Sequence, residues 1–271
     1  MKIPPLMITR EHGSWAVLII PMIIGCTYAG AVTFNVLFLL LSSLGIFMSY
    51  VPLQILLRKQ FGKNVPPPQT EAAKFWAVVY LAAGIVFLLP LLFQQLWLLL
   101  PIGGIGILTF FINFFLLRKG QRSSVLSDFI AVCGLTLSGP STYYILTASL
   151  DMNAFVIWSL NVLFFGCSVF YVQMKIRATG LKKNDWGFLD KISIGKWNII
   201  YHSAVFVILN IMVFYHLTIS TILAAYIPMM VHSLYGTMRL QKKTKFKNLG
   251  FGLLTHSLVF GLIILFLIRR I

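Results

Sequence analysis

Acidic side chains are the scarcest chemistry in this sequence: 271 residues contain only Glu11, Glu71, Asp128, Asp151, Asp185 and Asp190. Charged residues of both signs amount to 10%, where an average soluble domain carries about 25%. That shortage excludes a soluble enzyme, and the apolar excess excludes a disordered chain. Cysteines are few, and Cys26, Cys133 and Cys167 all fall inside apolar runs, so neither a disulfide scaffold nor a cysteine-based metal motif follows. Hydrophobic residues, by contrast, make up 59% of the chain, with a mean hydropathy of +0.89. The expected fold is all-α, a polytopic transmembrane helical bundle in which residues 1–271 form a single integral membrane domain.

A membrane-crossing helix needs about 20 mostly apolar residues. Nine stretches qualify: Ser14–Ala31, Val36–Leu57, Phe75–Phe93, Leu96–Leu117, Asp128–Ala148, Ala154–Gln173, Trp197–Tyr215, Thr218–Thr237 and Leu249–Ile268. Short turns at Gln94–Gln95 and near His216 imply antiparallel hairpins, because backbone in hydrocarbon must satisfy its own hydrogen bonds. Pro21, Pro52, Pro90, Pro101, Pro140 and Pro228 read as kink points within these helices. Trp15, Trp76, Trp97, Trp197 and Tyr215 read as interface anchors.

The net charge of +16 comes from 22 Lys and Arg. In a soluble protein so basic a balance would suggest nucleic acid. Here the cations are too sparse for a basic groove, and no nucleic-acid partner is expected. They occupy the N-terminal tail and the second, fourth, sixth and eighth connections between spans. Only Arg269 and Arg270 fall elsewhere, leaving 20 on one side. The positive-inside rule reads that side as cytoplasmic. The expectation is a multi-pass protein of the bacterial plasma membrane, N-terminus in and C-terminus out. A cleavable leader is the competing reading of the first span, since Ile24-Gly25-Cys26 resembles a lipoprotein cleavage box. The long basic connections Arg58–Lys74 and Met174–Lys196 place any work on a headgroup at the cytoplasmic face.

Ionisable side chains inside spans are costly and mark candidate sites. His12 sits at the mouth of the first span. His202, His232 and His256 fall roughly 10 Å inside the same face at 1.5 Å per residue. Asp128 opens the fifth span and Gln173 closes the sixth. These residues suggest a polar chamber open to the cytoplasm; the competing reading is that each histidine simply satisfies a contact between helices. Asn113, Asn161 and Asn210 lie deeper and read as interhelical hydrogen-bonding groups. No two histidines are spaced i,i+4, so no metal site is expected. Asp185 and Asp190, among four lysines, read as solvated charges.

The opening Arg10-Glu11-His12-Gly13-Ser14-Trp15-Ala16, running into Ile20-Pro21 and Gly25, resembles the start of YwiC-like bacterial membrane proteins. Ser168-Val169-Phe170-Tyr171-Val172-Gln173-Met174-Lys175-Ile176-Arg177 and the stretch from Leu249-Gly250 to His256-Ser257-Leu258-Val259-Phe260 resemble that family too. A more distant resemblance, carried by Ser127-Asp128-Phe129 through Gly139-Pro140-Ser141-Thr142-Tyr143-Tyr144, is to UbiA-type prenyltransferases. It implies a UbiA-like bundle of nine spans. Those enzymes hold Mg²⁺ on aspartate-rich motifs at the ends of the second and sixth spans. The corresponding windows here, Ser49 to Lys59 and Tyr171 to Arg177, contain no Asp or Glu. Mg-dependent prenyl transfer is therefore not expected, and no Mg²⁺ is.

The resulting expectation is a UbiA-like bundle that binds an isoprenoid, quinone or lipid headgroup at a basic, histidine-lined cytoplasmic cavity. Arg58, Lys175 and Arg177 would meet the headgroup directly, with His202, His232 and His256 below and membrane lipid around the tail. A small-solute transporter or permease is the alternative. Against the alternative stand the lack of a clear inverted repeat and of an acid at the bilayer midplane. The blandest reading makes the basic connections mere orientation signals that attract anionic lipid.

Overall fold

The computed structural model describes residues 4–9, 12–62, 65–118, 124–181, 186–240 and 244–268, without the side chains of His12, Leu117 and Arg118. Among these residues are ten α-helices, one 3-10 turn and no strand. The helices are α1 His12–Ala29, α2 Phe34–Gln60, α3 Pro67–Phe93, α4 Leu99–Arg118, α5 Val125–Leu135, α6 Ser138–Thr147, α7 Met152–Gly180, α8 Phe188–Phe214, α9 Leu223–Met238 and α10 Phe246–Ile268. Seven stretches are long and apolar enough to cross a bilayer, with α5 and α6 counted together as one. They make this a multi-pass membrane protein. The other two helices are shorter, 18 residues for α1 and 16 for α9.

Several helices run past their apolar stretches. α3 starts at Pro67, eight residues before the expected Phe75, because Pro67 and Pro68 need no N–H partner in a first turn. α7 continues beyond Gln173 to Gly180, and α8 begins at Phe188, nine residues ahead of Trp197. Lys74, Lys175, Arg177, Lys191 and Lys196 therefore stand on helices and not in connections. An internally bonded helix crosses from hydrocarbon into headgroups without exposing a peptide group, so hydropathy alone underestimates its length. Pro21, Pro52, Pro90 and Pro228 lie inside helices. Pro101 and Pro140 instead fall in the first turns of α4 and α6.

The expected fifth span is broken. Leu137 donates to Gly134 O in a tighter turn, which withdraws the helical bond that Cys133 O would have accepted. The indole of Trp158 in α7 takes over that carbonyl at 3.1 Å, and the Thr136 hydroxyl also reaches it at 3.2 Å. A freed carbonyl in a membrane protein needs such a substitute. On the far side of the break, Ser138 donates to Leu18 O of α1 at 2.7 Å.

The turns ending α3 and α8 share one geometry. Gln95 and His216 both adopt left-handed backbone, with φ of 63° and 55°. Leu96 N–H then reaches Leu91 O, and Leu217 N–H reaches Met212 O, the Schellman closure of a helix C-terminus. The second turn returns α9 against α8, as the sequence suggested, whereas the hairpin expected at Gln94–Gln95 does not form: after the turn α4 leaves α3 and packs on α5.

Helix α7 runs through the centre, packing on α1, α5, α6, α8, α9 and α10. Its Phe164 stacks on Phe260 of α10 with centroids 3.8 Å apart, and Tyr226 of α9 meets Phe260 edge-on. Helices α2 and α3 form a separate hairpin that leans on α6. Their backbones touch at Gly45, where an added Cβ would lie 2.7 Å from Gly84 N, and Ser42 donates to Gly84 O at 2.8 Å. Lipid gives helices no hydrophobic reason to associate, so such small-residue contacts carry the packing.

Candidate functional site

Four of the six acids fall among the described residues, and three of these have structural work. Asp151 accepts from Asn153 N–H at the start of α7 and from the Tyr143 hydroxyl. Asp190 accepts from Gly187 N–H at 3.2 Å, at the start of α8; it is a helix cap and not the merely solvated charge expected. Glu71 pairs with Lys74 on α3. Asp185, like the side chain of His12, lies outside the described residues. Asp128 remains, in the first turn of α5, and it borders a cavity.

That cavity has a volume of about 250 Å³. Its walls are Gly13, Ser14 and Val17 from α1; Asp128, Ala131, Val132 and Leu135 from α5; Phe165, Ser168, Val169 and Val172 from α7; and Leu253, Leu254 and Ser257 from α10. Most of the lining is apolar, while Asp128 and three serines supply the polar groups. The Gln173 amide, buried in α7, donates to Asp128 Oδ2 at 2.7 Å and fixes how the carboxylate is presented. Three separate stretches of sequence, Gly13–Val17, Ser168–Val172 and Leu253–Ser257, thus meet around one acid.

The remaining candidates divide. Lys175, 8% exposed, donates to Gly236 O of α9 at 2.7 Å and lies 5.4 Å from the centre of the Tyr171 ring. His232 of α9 packs edge-on against Tyr171 with centroids 5.3 Å apart, and His256 of α10 lies 4.7 Å from His232. This second cluster occupies the junction of α7, α9 and α10. His202, buried in α8, bonds through Nδ1 to its own helix at Asn198 O, which leaves Nε2 without a hydrogen-bond partner among the described residues. Arg58 and Arg177 are exposed near the ends of α2 and α7 and line neither cluster. So the structure joins Asp128 with Gln173, and Lys175 with His232 and His256, but not all nine candidates in one chamber.

Other polar residues had no place in the sequence expectation. Asn198 donates to Ser233 at 2.7 Å and to Thr237 at 3.1 Å, tying α8 to α9. It escaped notice because Trp197 was read as the interface, whereas α8 begins well before it. The i,i+4 spacing of Ser233 and Thr237 was the available signal. Asn113 crosses to Ser127 O as expected, but Asn161 and Asn210 bond to Ile157 O and Phe206 O of their own helices. Tyr171 and Gly236 also went unread, since an aromatic and a glycine in an apolar helix look like packing.

Comparison with known proteins places the family. The YwiC-like protein family model matches residues 8–143. A Bacillus subtilis (strain 168) protein described as "Uncharacterized protein YwiC" is 26% identical over 192 residues, covering 67% of this chain and 73% of the relative. A Haemophilus influenzae (strain ATCC 51907 / DSM 11121 / KW20 / Rd) protein described as uncharacterized is 24% identical over 181 residues, covering 67% and 72%. No solved structure matches this chain.

Proposed function

This chain belongs to the YwiC-like family, and on that premise we propose that it binds the head of an amphipathic membrane molecule in the Asp128 cavity. The observation that carries this reading is the convergence of three distant stretches on an acid, Asp128, that borders a cavity. An isoprenoid alcohol, a quinol or a hydroxyl-bearing lipid has the matching chemistry. Its head would donate a hydrogen bond to the Asp128 carboxylate, and its chain would lie along Val17, Val132, Val169 and Leu254. A charged acceptor strengthens such a bond to roughly 1.5–3 kcal/mol, and apolar walls with a few polar groups are the usual form of a ligand site. The ligand enters from the basic end, which the positive-inside rule makes cytoplasmic. In this reading α1 and α9 also cross the bilayer, giving the nine spans, N-in and C-out, of a UbiA-like bundle.

The test is to purify the protein in dodecyl maltoside and identify retained isoprenoids, quinones and lipids by mass spectrometry. Wild type should retain one class at near one molecule per chain. Asp128→Asn should lower retention about tenfold, and Ser257→Phe, which fills the cavity, should abolish it. Equal retention in all three proteins would overturn the proposal.

One observation favours a transporter as a second reading. The α5–α6 break interrupts the regular helical hydrogen bonds inside an apolar span through a tighter turn at Thr136 and Leu137, and broken helices form the substrate sites of many transporters. Solute uptake into proteoliposomes that is lost in Asp128→Asn, without any retained amphiphile, would decide for it.

A further inference from the structure

The second cluster has a different chemistry and stands independently of the Asp128 cavity. Tyr171 and Lys175 are four residues apart on α7, and His232 and Gly236 are four apart on α9, so each pair occupies one helical face. The two faces meet, and α10 closes the junction with His256. Glycine is needed at 236, because a Cβ there would collide with the Tyr171 hydroxyl. The close approach also brings Gly236 O within reach of the Lys175 ammonium.

Lys175 is buried without a carboxylate. Among the described residues the single ion pair is Lys74 with Glu71, and Lys175 makes one hydrogen bond, to Gly236 O. An ammonium carries three N–H donors, so two remain. Removing an ammonium from water without a counter-charge is costly. Beside it, His232 and His256 make no hydrogen bond through their imidazole nitrogens among the described residues, and both rings are only half-buried. Lys175 and His232 both approach the Tyr171 ring, and the His256 ring lies 4.7 Å from that of His232. Three nitrogen-bearing side chains from three helices thus meet at the Tyr171 ring, and no acid of the described residues pairs with them.

We infer that Lys175, His232 and His256 form a phosphate-binding site, with the Tyr171 ring as its floor. A tetrahedral phosphate accepts hydrogen bonds from several directions at once, which suits donors arriving from three helices. The six residues from His232 to the end of α9 place the site roughly 9 Å inside the basic end. A phospholipid headgroup drawn against the bundle and a free phosphate share this chemistry.

The experiment uses full-length protein with ¹⁵N-labelled histidine in dodecyl maltoside, which contains no phosphate. Inorganic phosphate and dihexanoyl phosphatidylglycerol are titrated separately, with sodium chloride at equal ionic strength as the control. The His232 and His256 resonances should shift and saturate with at least one phosphate probe and stay fixed in chloride. Saturation by inorganic phosphate assigns a free anion; saturation by the lipid alone assigns a headgroup. Lys175→Met should weaken the response at least tenfold, while Asp128→Asn should leave it unchanged, which separates this site from the amphiphile cavity. If Lys175→Met does not fold, His256→Gln should weaken the shift of His232 in its place. An equal response to chloride, no response to either phosphate, or an undiminished response in the variants would overturn the inference.

Discussion

Two adjoining parts of the α7 surface show how one helix supports two chemistries. On one, Ser168, Val169 and Val172 line a cavity with Asp128, which Gln173 holds. On the other, Tyr171 and Lys175 meet His232 and Gly236. Val172 and Tyr171 are adjacent in sequence, yet about 100° of helical turn separates them. α10 divides in the same way, with Ser257 facing the cavity and its neighbour His256 facing His232. Residue type could not sort these groups; on α7 the two sets occupy adjoining strips, with Lys175 only about 20° of helical turn from Ser168, and the helix packed against each strip separates them.

The strongest way to break this comparison is Gly236→Leu. The new side chain would collide with Tyr171, and overpacking of this kind costs about 1–3 kcal/mol. Thermal unfolding followed by circular dichroism should move down by several degrees, and the phosphate-induced histidine shifts should vanish. Amphiphile retention at Asp128 should survive in the folded fraction. Loss of both would show that the two parts act as one site.

Next in size is a crossed pair. Asp128→Asn should reduce retained amphiphile about tenfold and leave phosphate titrations unchanged, while Lys175→Met should do the reverse. A double variant whose effects in both assays equal those of the singles would confirm independence.

A smaller effect is expected from Asn198→Leu, which removes the bonds from α8 to Ser233 and Thr237. Polar contacts between membrane helices average about 0.6 kcal/mol, so thermal stability should fall slightly and neither ligand response should change. A change in the histidine shifts alone would extend the Lys175, His232 and His256 cluster to α8. The smallest effect belongs to Arg58→Gln and Arg177→Gln, both exposed. Surface changes of this sort usually stay within about 0.5 kcal/mol. A fall in retention by mass spectrometry would move the ligand head outward, to the rim of the bundle.

Much of the fold was legible because lipid leaves the backbone few choices. The apolar runs located the helical segments, and the α8–α9 hairpin followed from the shortness of its turn; the equally short turn at Gln94–Gln95 did not pack α4 on α3, because α4 finds its partner in α5. The break at Thr136 was not legible. Gly139-Pro140 could equally have kinked a continuous helix, and the outcome depended on Trp158, from a distant stretch, being placed to take the Cys133 carbonyl. Of the candidate residues, Asp128 and Gln173 were recognisable as polar groups at span ends, and the structure bonds them. Arg58 and Arg177 had the right charge and sequence neighbourhood but reach neither cluster, because long side chains at helix ends extend into water.

Composition and the lengths of the apolar runs alone determined that this chain is helical and multi-pass, since hydrocarbon demands internally bonded backbone and an apolar exterior. Tertiary structure decided which polar groups act together. Gly13–Val17, Ser168–Val172 and Leu253–Ser257 share a cavity only because α1, α7 and α10 pack side by side. Lys175 finds His232 and His256 only because Gly236 lets two helices approach. Those contacts join residues far apart in sequence, and the rotation of each helix about its axis, which hydropathy does not encode, selects them.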